Sequence, residues 1–187
     1  MPGEIRRVKF EKATPDDEAA RARGAIVIAL DMSLPFTAAR ARNAGLKRLR
    51  AIAPGGAFVQ FIDGDCTLDR DWLPKAAALL DQNADVAVVC GRRRERFPEA
   101  SLYNRLCDLE WNTPAGEAIA CGGDALMRVA AVDSVGGYRE DLIAGEEPEL
   151  CVRLREKGHR IWRLDAEMTL HDAAMTRFTQ WWRRSER

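Results

Sequence analysis

The sequence predicts a single α/β domain over residues 1–187, with a mostly parallel sheet flanked by helices. Between residues 25 and 90, short apolar segments alternate with segments of helical periodicity, which is typical of β-α-β units with right-handed crossovers. Residues 58–62 are β-branched and aromatic with little polarity, as expected for a buried central strand. A length of 187 residues is sufficient for one hydrophobic core.

Turn residues and helix caps divide the first half of the chain. Thr14 and Pro15, followed by acidic residues, are typical of a helix start. After Pro35, apolar residues recur at helical spacing. The expected elements of this half are a helix ending at Gly24, a strand at 25–30, a helix at 36–50, the strand at 58–62, a helix at 71–80 and a strand at 86–90.

The alternation is less regular in the second half. Residues 92–98 are polar and indicate a loop or an edge segment. Gly158 marks the end of the helix expected at 147–157. The expected elements are a helix at 101–111, strands at 118–121 and 125–129, a turn at 135–138, a helix at 147–157, strands at 159–164 and 167–170, and a last helix that contains Phe178, Trp181 and Trp182.

The charge balance gives no argument for binding to nucleic acid. Basic and acidic residues number 29 each, so the formal net charge is zero. Basic runs at 92–96 and 183–184 and an acidic run at 140–149 are interpreted as solvated faces.

The five cysteines form no CxxC pair and are odd in number. They lie mostly in apolar runs, which indicates reduced thiols of a cytoplasmic domain, and zinc is not expected. There is no signal peptide, and no apolar run approaches the roughly 18 residues of a membrane span. Association with the cytoplasmic face of a membrane remains an open expectation.

Two carboxylates follow directly on the central strand. Asp63 and Asp65 flank Gly64 at the carboxyl end of that strand, the edge at which open α/β sheets bind ligands. Two acids held so close repel each other unless a proton or a cation lies between them. Such oxygen ligands suit Mg²⁺ or Mn²⁺. The alternative is an ordinary solvated turn.

A second acidic pair lies at a predicted helix start. Glu146 and Glu147 could stabilise the helix start through their interaction with the helix dipole. Alternatively, one of them could act as a general base on an attacking hydroxyl. Both interpretations are open on the residues alone.

Two further features could belong to the same site. His171, at the end of an apolar strand, could complete a metal site or could be structural. Gly122 and Gly123, followed by Asp124, allow close approach of the backbone to a ligand, or they form a plain turn.

Taken in order, five segments resemble the family 2 glycosyltransferases of the inverting GT-A fold. The resemblance extends from about residue 20 to the C-terminus. The segments are ARARNAG at 39–45, FIDGD at 61–65, VGGY at 135–138, GEEPELCVRL at 145–154 and His171.

The resemblance implies a role for each site residue. Asp63 and Asp65 would hold Mn²⁺ or Mg²⁺ on the donor diphosphate, and His171 would supply a further ligand. Glu147 would be the catalytic base, with Glu146 beside it in the acidic pair. The expected substrate-binding residues are Arg42, Asn43, Gly122, Gly123 and Asp124.

The implied partners are a UDP- or GDP-linked sugar donor and a saccharide or lipid-linked acceptor. Members of the family open with a strand, a helix and a second strand, to which residues 1–24 bear no likeness. The resemblance therefore implies a domain without its first nucleotide-binding unit.

Two alternatives remain open. In a phosphatase of the haloacid dehalogenase type, Asp63 would be the nucleophile, Asp65 the acid/base and Thr67 a phosphate ligand. In a non-catalytic truncated homologue, an exposed sheet edge would favour a homodimer.

Overall fold

A computed structural model describes residues 8–10 and 16–185. The helix start predicted at Thr14 and Pro15 lies outside the described residues. The chain divides into two compact units. The first contains the residues up to Gly56 together with Gly137–Glu146, and the second contains Ala57–Gly136 together with the residues from Glu147 on.

The first unit pairs two short strands and carries one long helix. Strands β1 (Val8–Phe10) and β2 (Ile26–Ile28) are parallel neighbours, with helix α1 (Asp16–Ala22) between them in the chain. Helix α2 (Ala38–Ile52) begins after Thr37, whose hydroxyl oxygen accepts a hydrogen bond from the backbone N–H of Arg40 at 3.1 Å.

The second unit contains the remaining elements, which largely match the predicted positions. Helix α6 begins at Glu146, the last residue of the first unit. The elements are β3 (Phe58–Phe61), β4 (Cys66–Leu68), α3 (Trp72–Gln82), β5 (Val86–Glu95), α4 (Leu102–Trp111), β6 (Gly116–Ala118), β7 (Ala125–Arg128), α5 (Val129–Ser134), α6 (Glu146–Glu156), β8 (Arg160–His171) and α7 (Phe178–Ser185).

The sheet of this unit confirms the α/β class but not the expected strand directions. Its order is β3-β7-β5-β8-β4, and β6 also pairs with β8. Among its described strands, β5 and β8 are parallel and every other pair is antiparallel, so the prediction of a mostly parallel sheet was wrong. Strands β3 and β5 do run in the same direction, as a β-α-β unit requires, but β7 lies between them and is antiparallel to both.

Strands β5 and β8 are longer than predicted. The polar segment predicted as a loop continues β5 to Glu95, and the two strands predicted at 159–164 and 167–170 form one strand ending at His171. The two pair along their whole length, with irregularities in the register at residues 86–93 of β5. This pairing carries the polar ends of both strands to one end of the sheet.

The core of the second unit surrounds the apolar half of β5. Residues 86–89 of that strand are at most 1% exposed. Trp72 of α3 packs so closely on the sheet that a Cβ at Gly91 would lie 2.5 Å from its ring. In the part of the chain that the structure describes, no helix has the length and apolarity needed to cross a membrane.

Candidate functional site

A tight turn connects β3 to β4 and carries the predicted carboxylate pair. The backbone N–H of Cys66 donates to the carbonyl oxygen of Asp63 at 3.1 Å, which closes the turn. A Cβ added at Gly64 would meet no atom within 4 Å, and Gly64 lies outside the left-handed region. The two carboxylates therefore lie in a turn at this end of the sheet, and the backbone angles of that turn do not require glycine at position 64.

Asp65 and His171 meet at this end of the sheet. The Oδ2 atom of Asp65 lies 3.1 Å from Nε2 of His171, and the backbone N–H of Asp172 donates to the carbonyl oxygen of Asp65 at 3.3 Å. The contact follows from strand pairing, because Cys66, next to Asp65, is the antiparallel partner of His171. Two of the three predicted metal ligands are thus in direct contact.

The His171 ring is held against Trp111. The ring centroids are 4.8 Å apart with the planes at 70°, an edge-to-face contact. The His171 side chain is 13% exposed, whereas that of Asp65 is 55% exposed. Among the described residues, Nδ1 of His171 is buried and has no hydrogen-bond partner. The side chain therefore presents Nε2, not Nδ1, to Asp65.

Asp63 belongs to a separate, more deeply buried network. Its backbone N–H donates to Oδ1 of Asp124 at 2.8 Å, and its carboxylate accepts from Arg93 at 3.2 Å. Arg93 also lies 2.8 Å from Oδ2 of Asp124, and the hydroxyl of Thr169 donates to the same oxygen at 2.8 Å. The Asp124 side chain is completely shielded from solvent. The network fixes the start of the turn that carries Asp65.

The basic run at 92–96 is therefore not one solvated face, as the sequence suggested. Alternation along β5 turns Arg93 toward Asp63 and Asp124, while Arg92 pairs with Asp165 and Glu167. Burial by itself lowers the pKa of Arg93, but the charges of Asp124, Cys66 and Asp63 raise it overall above its usual value. Arg93 stays charged within this network.

Cys66 lies between these groups. Its Sγ atom is 3.8 Å from Oδ1 of Asp65, and one ligand atom each from Asp65, Cys66 and His171 lie within 4.8 Å of one another. Burial, and then the charge of Asp124, raise the pKa of the Cys66 thiol, so the thiol is protonated in the absence of a metal ion.

The predicted glycine pair stands beside the buried network. Gly122 is exposed, and a Cβ there would lie 4.0 Å from the Arg93 guanidinium. Gly123 is buried and leads into Asp124. Both oxygens of the Asp124 carboxylate accept hydrogen bonds from protein groups. Substrate binding by Gly122, Gly123 and Asp124 stays a prediction.

Glu147 lies near two cysteines, Cys121 just before this loop and Cys151 in α6. The Sγ atoms of Cys121 and Cys151 are 3.7 Å apart in the buried interior. The hydrogen bond with Cys151 and burial raise the pKa of Cys121, and the nearby charge of Glu147 acts in the same direction. Glu147 is half-buried in the first turn of α6. Its predicted role as base stays a prediction.

The other predicted residues, Arg42, Asn43 and Glu146, lie in the first unit. Arg42 pairs with Glu146 at 2.6 Å, with 11% and 7% of the two side chains exposed, and its guanidinium lies over the Tyr138 ring. The Asn43 amide donates to the carbonyl oxygen of Tyr138 at 2.8 Å and accepts from its N–H at 3.0 Å. These contacts secure the turn at Gly137, and substrate binding by Arg42 and Asn43 stays a prediction.

Sequence reasoning missed several residues of this site. Alternation along a strand could have singled out Arg93, had the strand been predicted past Gly91. Strand pairing, which no local pattern specifies, brings in Cys66 and Thr169, and Trp111 contacts His171 from the end of α4. The missed residues are Cys66, Arg93, Trp111 and Thr169.

Comparisons with known proteins concern the family and the fold of this chain. The sequence profile of the family described as "Glycosyl transferase family 2" matches residues 19–136. Over 44 residues the chain is 48% identical to the succinoglycan biosynthesis protein ExoA of Rhizobium meliloti, a match that covers 24% of this chain and 13% of that protein.

Solved structures of low sequence identity share the fold. A mannosyltransferase of Pyrobaculum calidifontis, PcManGT, in complex with GDP-Man and Mn²⁺ is similar over 95% of this chain and 50% of that one, with a TM-score of 0.66 and 18% identity. GalNAc-T7 with UDP, GalNAc and Mn²⁺ is similar over 97% of this chain and 41% of that one, with a TM-score of 0.63 and 12% identity. The chain thus spans half or less of the length of these proteins.

Proposed function

Because this chain belongs to the family 2 glycosyltransferases, we propose that it is a metal-dependent inverting enzyme that transfers a sugar from a nucleotide-sugar donor to an acceptor hydroxyl. The family profile matches more than half of the chain, and together with the shared fold it confirms the GT-A-like α/β class. It also decides against the phosphatase of the haloacid dehalogenase type.

The proposal rests on one observation, the approach of Asp65 to His171. In octahedral coordination with bonds of about 2.1 Å, two neighbouring ligand atoms are separated by about 3 Å. The 3.1 Å between Oδ2 of Asp65 and Nε2 of His171 fits that separation. A carboxylate and an imidazole also suit Mn²⁺ and Mg²⁺ by ligand type. These residues would hold the ion, which when bound neutralises charge on the leaving diphosphate.

Asp63 has a different role in this proposal. It is paired with Arg93, and its N–H is bonded to the buried Asp124. These contacts orient the turn, so that Asp65 is presented to the ion without moving when it binds. Preorganisation of this kind avoids a reorganisation cost during the reaction.

Glu147 would be the general base. It accepts the proton of the acceptor hydroxyl, whose oxygen forms a bond to the anomeric carbon of the sugar. The bond from that carbon to the diphosphate oxygen breaks, and the nucleoside diphosphate leaves with the electron pair. A single displacement of this kind inverts the anomeric centre. Glu146 is buried and its carboxylate is paired with Arg42, which suits a structural role.

The donor nucleotide is proposed to be GDP or UDP, and the cofactor Mn²⁺ or Mg²⁺. The complexes of PcManGT with GDP-Man and Mn²⁺ and of GalNAc-T7 with UDP and Mn²⁺ support the two nucleotides and Mn²⁺, whereas Mg²⁺ stays a prediction. A saccharide or lipid-linked acceptor, a homodimer and association with a membrane face stay predictions from the sequence.

Calorimetric titration of UDP, and then of GDP, into the chain with and without Mn²⁺ tests the proposal. We expect heat of binding with one nucleotide only when Mn²⁺ is present, and none with the Asp65→Asn variant. Asp69→Asn, an acid outside the cluster, is the matched control and should bind as the wild type does. Nucleotide binding that is the same with and without Mn²⁺, and the same in Asp65→Asn as in the wild type, would overturn the proposed metal site.

A further inference from the structure

The thiol of Cys66 adds a third kind of ligand to the proposed metal site. Asp65, Cys66 and His171 each offer one atom, and these atoms lie within 4.8 Å of one another. An oxygen, a sulfur and an imidazole nitrogen form a ligand set typical of zinc and of other ions that bind thiolates. Mn²⁺ and Mg²⁺ gain little from the sulfur.

We propose that Asp65, Cys66 and His171 together bind a thiophilic divalent ion such as Zn²⁺, and that this ion displaces the Mn²⁺ of the proposed donor site. Displacement of Mn²⁺ rests on the proposed function. Binding of the thiophilic ion by the three side chains does not.

Strand pairing favours this coordination. Cys66 and His171 are direct partners in the antiparallel ladder of β4 and β8, where paired Cβ atoms are about 5 Å apart. Bonds of about 2.3 Å to sulfur and about 2.1 Å to nitrogen or oxygen place tetrahedral ligand atoms roughly 3.5 Å apart. The Oδ2 atom of Asp65 lies 3.1 Å from Nε2 of His171, and its Oδ1 atom lies 3.8 Å from Sγ of Cys66. With one ligand atom from each residue, all three separations are at most 4.8 Å, so a small rotation of the Asp65 carboxylate would bring them to that value.

The charges around the site also permit a cation. The positive charge of Arg93 is offset by two carboxylates, Asp63 and Asp124. Binding breaks the S–H bond of Cys66, the proton passes to solvent, and the sulfur electron pair forms the bond to the metal. The fourth position would hold water or a substrate oxygen.

The cysteine spacing does not indicate this site. Zinc was not expected from the sequence, because the cysteines form no CxxC pair. Here one ligand comes from β8, about a hundred residues after the other two. The three meet only through the pairing of β4 with β8.

Titration of Co²⁺ into the folded chain, followed by absorption, tests the inference. A thiolate bound to Co²⁺ gives a sulfur-to-metal charge-transfer band in the near ultraviolet. We expect this band in the wild type, its loss in Cys66→Ser and in Cys66→Ala, and its retention in Cys151→Ser. The last variant is the matched control, because Cys151 and Cys121 form a separate close thiol pair.

Competition of Zn²⁺ against Mn²⁺, followed by the Mn²⁺ spin-resonance signal, gives a second readout. Cys66→Ser should weaken Zn²⁺ binding by about 10-fold or more and change Mn²⁺ affinity by no more than about 2-fold. A charge-transfer band that survives in Cys66→Ser, or no band in a folded wild type, overturns the inference. A band without Mn²⁺-dependent nucleotide binding would instead support it and count against the proposed function.

Discussion

Arg93 lies 2.8 Å from the carboxylate of Asp124, a side chain with no exposure to solvent. A buried carboxylate is costly unless a cation and hydrogen bonds compensate it. Here Arg93 supplies the cation, while the N–H of Asp63 and the hydroxyl of Thr169 supply hydrogen bonds. The pair therefore joins the interior of the sheet to the turn that carries Asp65.

Arg93→Leu should destabilise the fold strongly. The change leaves Asp124 buried and without its cation, a situation that typically costs about 3–5 kcal/mol. Arg92→Leu is the matched control one residue away, because Arg92 pairs with Asp165 and Glu167 at the surface, where such pairs contribute about 0–1 kcal/mol. Urea unfolding of the two variants measures the difference, and equal losses would show that Asp124 does not depend on Arg93.

Substitution by alanine should destabilise the fold at one glycine of the second unit and leave its stability nearly unchanged at another. At Gly91 a Cβ would lie 2.5 Å from the Trp72 ring and 2.8 Å from the carbonyl oxygen of Ala166, so Gly91→Ala must displace backbone or core. Overpacking of this kind costs about 1–3 kcal/mol or more. At Gly64 a Cβ would meet no atom within 4 Å, and Gly64→Ala should leave the melting temperature nearly unchanged. Thermal unfolding followed by circular dichroism compares them; a large loss in Gly64→Ala contradicts the geometry of the turn.

The sequence was sufficient to predict the elements that depend on the local pattern of apolar and polar residues. Residues 58–62 predicted the strand β3, and Asp63 and Asp65 lie in the turn that follows it, as expected. The helices α3 and α4 also begin and end near the expected residues.

What the sequence could not give depends on strand pairing. The polar residues after Gly91 resemble a loop locally, yet pairing with β8 keeps them in β5. Insertion of β7 between β3 and β5, antiparallel to both, makes the sheet mixed instead of mostly parallel. Arg93 and Thr169 reach Asp124 for the same reason, and no spacing within the chain encodes that contact.

Asp108 should contribute stability that is lost in acid. Its pKa is lowered because Arg94 donates to it at 2.9 and 3.1 Å and the N–H of Glu95 donates at 2.9 Å. A lowered pKa in the folded state means that the contribution is complete above the unfolded value of about 3.9 and is lost as pH falls through the folded value.

Urea unfolding of Asp108→Asn at neutral pH and near pH 3 measures this contribution. The variant should be less stable than the wild type at neutral pH, and the gap should shrink in acid. Asp141→Asn is the control, because Asp141 also has a lowered pKa from a hydrogen bond with Arg139 but lies at the surface, where a pair adds little. A gap that is constant with pH would mean that the Asp108 charge is not the cause.

Glu147→Gln and Glu146→Gln should separate catalysis from stability. Glutamine at 147 keeps the size of the side chain but cannot accept a proton, so we expect transfer to fall by about 10²–10⁴-fold while Mn²⁺-dependent nucleotide binding is retained. Glutamine at 146 removes the charge that pairs with Arg42 at 2.6 Å. Its main effect should be a loss of stability, because that pair is largely shielded from solvent.

Release of nucleoside diphosphate in the presence of acceptor, measured beside a calorimetric binding titration, distinguishes the two variants. Asp65→Asn completes the set, since it should abolish metal-dependent binding and transfer together. Full transfer by Glu147→Gln would exclude it as the base. A loss of transfer in Glu146→Gln, with binding and stability unchanged, would move that role to Glu146.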